Sequence, residues 1–224
     1  MEKMTQQAFL FDMDGVIIDS EPLHFAVDIE TVRTLGAEID QHGLEPYVGM
    51  TNPEMWKLLR AQFGFAPSIA EIIELQMNRK LEALAASGLT AMQGVAELTD
   101  RLLAAGVRIG VASSSPRVFI EAVLGQFGLL DKFGCIVSGE EVPMGKPAPD
   151  VYLEAARQLG VSPVACVVLE DSRNGVRAAK AAGMRAIGLR NPNSGRQDLS
   201  EADWIVDSVA DIPLAELGLG LAQA

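Results

Sequence analysis

From Gly94 onward the chain alternates. Short apolar runs at 107–112, 135–137, 166–169 and 185–189 are separated by stretches whose apolar residues recur at helical spacing. No other feature restricts the fold as strongly, because strands that alternate with helices pair in parallel and bury both faces of the sheet under those helices. Glycines close three of the helices. Gly106 follows Val95, Leu98, Leu102 and Leu103, Gly160 follows a helix over 148–159, and Gly183 follows one over 176–182. Glycine suits that place because a helix commonly ends on a left-handed residue. A further helix runs from Pro116 to about Phe127, and Trp204-Ile205-Val206 is a candidate sixth strand.

The run Phe9-Leu10-Phe11 adds a buried strand far upstream of this block. No strand pattern is evident between about residues 20 and 105. Asp19-Ser20-Glu21-Pro22 has the composition of a helix start, with proline near the first turn. The helix it opens reaches about Leu35, with Leu23, Val27, Val32 and Leu35 as inward positions. A Gly- and Pro-containing loop over 42–53 follows, then helices over 54–63 and 68–87. The expected architecture is α/β, with a doubly wound parallel sheet core formed by 1–18 and 90–224. A small all-helical cap domain, 19–89, is inserted after the first strand.

Composition narrows the function classes. A chain of 224 residues can bury a large core. Its formal net charge of −12 argues against a nucleic-acid or anionic-membrane partner, which needs a basic face. Cys135 and Cys166 each lie inside an apolar strand-like run, which points to reduced thiols in a cytoplasmic protein. No signal peptide or apolar span is evident.

Two carboxylates, Asp12 and Asp14, follow the first strand directly, and Gly15 comes next. Placed at the carboxyl end of a parallel sheet, they would stand where such sheets bind ligands. Two neighbouring anions call for a positive partner, most simply a divalent metal. Asp-x-Asp-Gly is also common in plain turns. An EF-hand loop fails here, because its fifth and twelfth positions would be Val16 and Leu23. Other polar groups fall on the same side of the sheet: Ser113 after the second strand, Glu170 and Asp171 after the fourth, and Lys146 just before a helix. Each has an ordinary alternative. Ser113 could open a turn or cap a helix, Glu170 and Asp171 could cap the helix that follows, and Lys146 could be solvated. Together they are a carboxylate nucleophile, a second carboxylic acid, metal-binding oxygens and donors for phosphoryl oxygens. That set matches phosphoryl transfer to an aspartate.

Four segments then resemble, in order, the haloacid dehalogenase superfamily of phosphatases, in the branch close to β-phosphoglucomutase and the small-sugar phosphatases. They are Phe11-Asp12-Met13-Asp14-Gly15-Val16, Val111-Ala112-Ser113-Ser114-Ser115-Pro116, Gly145-Lys146-Pro147-Ala148-Pro149-Asp150 and Val168-Leu169-Glu170-Asp171-Ser172-Arg173-Asn174-Gly175. The resemblance spans essentially the whole chain. It implies a Rossmann-like core and a Mg2+-dependent phosphatase of small phosphorylated metabolites, sugar phosphates in particular. Asp12 is then the nucleophile, Asp14 the general acid/base, and Ser113 and Lys146 the contacts to the transferred group. The metal is held by the Asp12 carboxylate, the Asp14 backbone carbonyl and Asp171, with Glu170 assisting directly or through water. The implied cap closes over the core about a hinge at 18–20, and His24, Thr51 and Asn52, with the loop over 48–52, face the substrate. His42 is expected to be solvated. Where the mutases carry a cap arginine, this chain has Asn52, which lacks a charged fork, so hydrolysis is favoured over mutase turnover. A phospho-acceptor module of the receiver type is the distant alternative. A monomer is slightly favoured, with oligomeric state left open.

Overall fold

The computed structural model describes residues 7–47 and 50–219. Val48 and Gly49 of the expected 48–52 loop lie outside the described residues. The chain divides into two compact units. One comprises Met1–Asp19 and Thr90–Ala224, the other Ser20–Leu89.

In the first unit, six strands are described: β1 (Ala8–Phe11), β2 (Arg108–Ser113), β3 (Cys135–Ser138), β4 (Cys166–Glu170), β5 (Arg185–Leu189) and β6 (Trp204–Val206). They form one all-parallel sheet in the order β3-β2-β1-β4-β5-β6. This order makes it a doubly wound, Rossmann-like sheet. The crossovers run in opposite directions on either side of the β1/β4 pair, so a crevice opens at the carboxyl ends of those two central strands.

The helices of this unit are α5 (Val95–Ala104), α6 (Arg117–Gln126), α7 (Asp150–Leu159) and α8 (Arg173–Ala181). They cover the sheet because their apolar residues recur at helical spacing. Strand alternation divides β1 between the two faces. Ala8 and Leu10 join one core cluster with Val151, Tyr152, Ala155, Val176 and Ala179 of α7 and α8. Phe9 and Phe11 take the opposite face, where Phe11 meets Phe133 edge to face at 5.7 Å. Each fully buried aromatic ring there contributes about 1.5–3 kcal/mol of transfer free energy.

The second unit holds α1 (Glu21–Thr34), α2 (Gln41–Leu44), α3 (Asn52–Phe63) and α4 (Ile69–Ala86) around Val32, Leu44, Met55, Trp56, Leu59, Phe65 and Ile72. α4 starts with a reciprocal capping box in which Ser68 and Glu71 satisfy each other's backbone N–H groups. α3 ends on Gly64 in the left-handed region, with φ 74°.

Several expectations need correction. The 42–53 stretch is not a plain loop: α2 and a 3₁₀ turn at Glu45–Tyr47 occupy its start, and α3 begins at Asn52. Local backbone hydrogen bonds close these short turns despite Gly43 and Pro46. Leu35, expected to face inward, is half-buried at the end of α1. α8 begins at Arg173 rather than 176, because Ser172 caps it there. No helix among the described residues is long and apolar enough to cross a membrane.

Candidate active site

β1 delivers the first carboxylate. Its ladder with β4 runs one residue past the strand, Asp12 N donating to Leu169 O at 3.0 Å, so Asp12 sits at the sheet's carboxyl edge. The chain then turns sharply. Ile17 N and Ile18 N both donate to Met13 O, at 2.8 and 3.1 Å, with Gly15 at φ 74°. A side chain at Gly15 would be strained by that φ, and its Cβ would overlap Asp171 Oδ2.

Lys146 enters from the loop after β3. Its side chain is 6% exposed, and its ammonium donates to Asp12 Oδ1 at 2.7 Å, to Glu170 Oε1 at 2.7 Å and to Ala112 O at 3.1 Å. The Tyr152 ring lies 5.0 Å away, and the Tyr152 hydroxyl donates to Glu170 Oε1 at 2.9 Å. The other Glu170 oxygen accepts from the Ser172 N–H and hydroxyl, both at 2.9 Å. Gly175 leaves room for this carboxylate, which a Cβ there would overlap. Asp171 is also buried and accepts from the Ser194 hydroxyl.

Asp12, Glu170 and Asp171 each offer an oxygen, and these atoms lie within 4.8 Å of one another. Three carboxylates facing one ammonium leave a net negative, buried cluster. Burial is the largest influence on Asp12. With Glu170 and Asp14 it raises the Asp12 pKa to about 7 against the pull of Lys146. Burial likewise pushes Asp171 well above the usual carboxylate range, with Glu170 and Asp12 adding to it. For Lys146, burial favours the neutral form, but Asp12 and Glu170 more than offset it and leave the pKa well above 10.5. An all-oxygen donor set with unbalanced negative charge suits a hard divalent cation.

Asp14 has different partners from Asp12. Its Oδ2 accepts from the Ser115 hydroxyl at 2.6 Å and from the Ser113 hydroxyl at 3.4 Å. Ser113 in turn accepts from Ser115 N at 3.0 Å, so it both forms a turn and reaches the carboxylate. The structure therefore brings Asp12, Lys146, Glu170 and Asp171 together and sets Asp14 with Ser113. The ordinary alternatives for Lys146 and the acidic pair do not hold, since Lys146 is buried and the cap of α8 is Ser172.

The three substrate candidates belong to the helical unit. His24 is half-buried in the first turn of α1, Thr51 caps α3 with its hydroxyl donating to Glu54 at 2.9 Å, and Asn52 is the first residue of α3. His42 is exposed in α2.

Three more residues that the sequence pattern does not single out meet these carboxylates: Ser115, Tyr152 and Ser194. Tyr152 fits the apolar stripe of α7 and leaves no separate trace. Ser194 lies in Asn191-Pro192-Asn193-Ser194-Gly195, a polar turn at the carboxyl end of β5, and that position was the available signal.

A doubly wound sheet with a buried carboxylate–lysine cluster at its central carboxyl edge, and a helical unit inserted after β1, describes a class of α/β hydrolytic enzymes. The chain belongs to the haloacid dehalogenase-like hydrolases, whose family model matches residues 6–183. It is 37% identical over 191 residues to hexitol phosphatase B of Escherichia coli (strain K12), covering 84% of this chain and 85% of that one. With β-phosphoglucomutase of Bacillus subtilis (strain 168) it shares 32% identity over 216 residues, or 93% and 92% of the two chains. CbbY from Rhodobacter sphaeroides in complex with phosphate superposes with a TM-score of 0.87 at 31% identity, over 97% of this chain and 99% of that one. A mutant of the same protein in complex with xylulose-(1,5)bisphosphate gives 0.87 at 30% identity.

Proposed function

We propose that this protein is a Mg2+-dependent phosphatase of small phosphorylated metabolites, sugar phosphates in particular, acting through an aspartyl-phosphate on Asp12. The observation that carries the reading is the Asp12 carboxylate, bonded to Lys146 in a buried cluster with Glu170 and Asp171 while Asp14 stands apart with its own hydroxyl donors.

Asp12 attacks the phosphorus, and the bond from phosphorus to the ester oxygen breaks. Asp14 protonates the departing alcohol and afterwards takes the proton from the water that hydrolyses the acyl phosphate. Lys146 and the Ser113 hydroxyl hold phosphoryl oxygens as negative charge shifts among them. Asp12, Asp171 and the Asp14 backbone carbonyl would hold the ion. Glu170, whose two oxygens already accept four hydrogen bonds, would anchor Lys146 and reach the ion through water. The ion, when bound, neutralises charge on the phosphoryl group and the nucleophile. His24, Thr51 and Asn52 are proposed to read the substrate, on the family resemblance alone. A cytoplasmic location goes with two buried, unpaired thiols.

The test is phosphate release from hexose, hexitol and pentulose phosphates and bisphosphates with Mg2+. Wild type should turn over at least one of them, and Asp12→Asn should release none. Full activity in that variant removes the mechanism. Mutase turnover is the second reading, favoured by the similarity to β-phosphoglucomutase. It would appear as glucose 1-phosphate converted to glucose 6-phosphate without net phosphate release.

A further inference from the structure

Ser194 sits in a 3₁₀ turn (Pro192–Ser194) after β5, at the same carboxyl edge as the carboxylate cluster, and is buried. Its hydroxyl donates to Asp171 Oδ2. Gly15 lies against that same oxygen, so close that a Cβ there would stand 1.8 Å from Asp171 Oδ2 and 2.8 Å from Ser194 Oγ. The turn is itself pinned. Asn191 Nδ2 donates to Gly15 O at 3.2 Å, Asn191 Oδ1 accepts from Asn193 N at 2.9 Å, and Asn193 Nδ2 donates to Asp19 Oδ2 at 2.6 Å. One oxygen of Asp171 therefore already accepts a hydrogen bond and lies against Gly15.

We infer that Ser194 is a positioning residue that makes Asp171 a one-oxygen metal ligand and thereby sets the preference of the site for Mg2+ over Ca2+. The inference rests on the metal reading above. Mg2+ takes one oxygen from each carboxylate in a near-octahedral shell, whereas Ca2+ readily takes both oxygens of a carboxylate in a larger, less regular shell. A hydroxyl fixed on Oδ2 favours the first arrangement and obstructs the second. Residues that orient a metal ligand typically change metal affinity 10–100-fold when removed.

The experiment measures binding of Mn2+ to the purified full chain by electron paramagnetic resonance, with Mg2+ and Ca2+ as competitors, in wild type, Ser194→Ala and Ser194→Thr. Urea midpoints in EDTA check that each variant folds. Ser194→Ala should weaken Mg2+ by about 10-fold or more and Ca2+ by less, so the ratio of the two Kd values narrows. Ser194→Thr, which keeps the hydroxyl, should retain the wild-type ratio. If Ser194→Ala does not fold, Ser194→Cys, near in size but a poor donor, carries the same expectation. An unchanged Mg2+ affinity in the folded variant overturns the inference, as does equal weakening of both ions. Failure of the wild type to bind Mn2+ overturns the metal reading itself, a result distinguishable from the other two.

Discussion

Replacing Lys146 with methionine keeps much of the side-chain volume and removes the ammonium that, among the described residues, is bonded to the carboxylate cluster. The lost partners are Asp12 Oδ1 and Glu170 Oε1, both at 2.7 Å from a group that is 6% exposed. Removing one member of a buried ion pair costs about 3–5 kcal/mol, because the remaining charge has neither water nor a partner. The pH dependence is the sharper signature. A carboxyl whose folded pKa lies above its unfolded value holds a proton in the folded state that the unfolded chain has released. Stability therefore falls as pH rises between the two values. For Asp12 in the wild type that window runs from 3.8 to about 7. Without Lys146 it extends higher, and each pH unit then costs about 1.4 kcal/mol more per retained proton. Between pH 7 and pH 8.5 the stability gap between Lys146→Met and wild type should thus widen by about 2 kcal/mol. Urea denaturation in EDTA at the two pH values measures it. A gap that stays constant, or one below about 1 kcal/mol, would refute the account of the cluster as carboxylates held together by a single cation.

Tyr152→Phe removes one donor from Glu170 and leaves Lys146 in place, so it should cost about 1.5–3 kcal/mol in urea denaturation. A loss well below that would mean Lys146 and Ser172 satisfy Glu170 unaided. A divalent ion must compete with protons for Asp12 and Asp171, both of which are raised by burial and like charge. The gain in Tm on adding MgCl2 should therefore be larger at pH 8 than at pH 6, and a pH-independent gain would contradict the ligand assignment. Burial pushes the Cys135 thiol up to about 12 and that of Cys166 to about 11. Neither should react with a thiol reagent at pH 8 in the folded protein, and both should react after unfolding in urea.

Much of this was legible from the residues. Alternating strands and helices implied a covered parallel sheet, and the motifs around Asp12, Ser113 and Asp171 stood at its strand ends with Lys146 in a loop on the same side, because parallel strands all present their carboxyl ends to one side. The partner choices were not legible. Ser115 as well as Ser113 reaching Asp14, Tyr152 reaching Glu170 and Ser194 reaching Asp171 are contacts 101, 18 and 23 residues apart in sequence, respectively. They exist only because β1, β2, β4 and β5 share one edge. The start of the 42–53 stretch departs from its composition for a local reason: Gly43 and Pro46 favour a loop, yet short helical turns form there.

By itself, the sequence determined the layering, the order of the motifs and the kind of chemistry, since apolar period and residue type are local properties of the chain. Tertiary structure decided which charge faces which. That depends on strand order and side-chain burial: burial at the β1/β4 switch raises the proton affinity of Asp12 and Asp171, and the carboxylates beside Lys146 keep it charged.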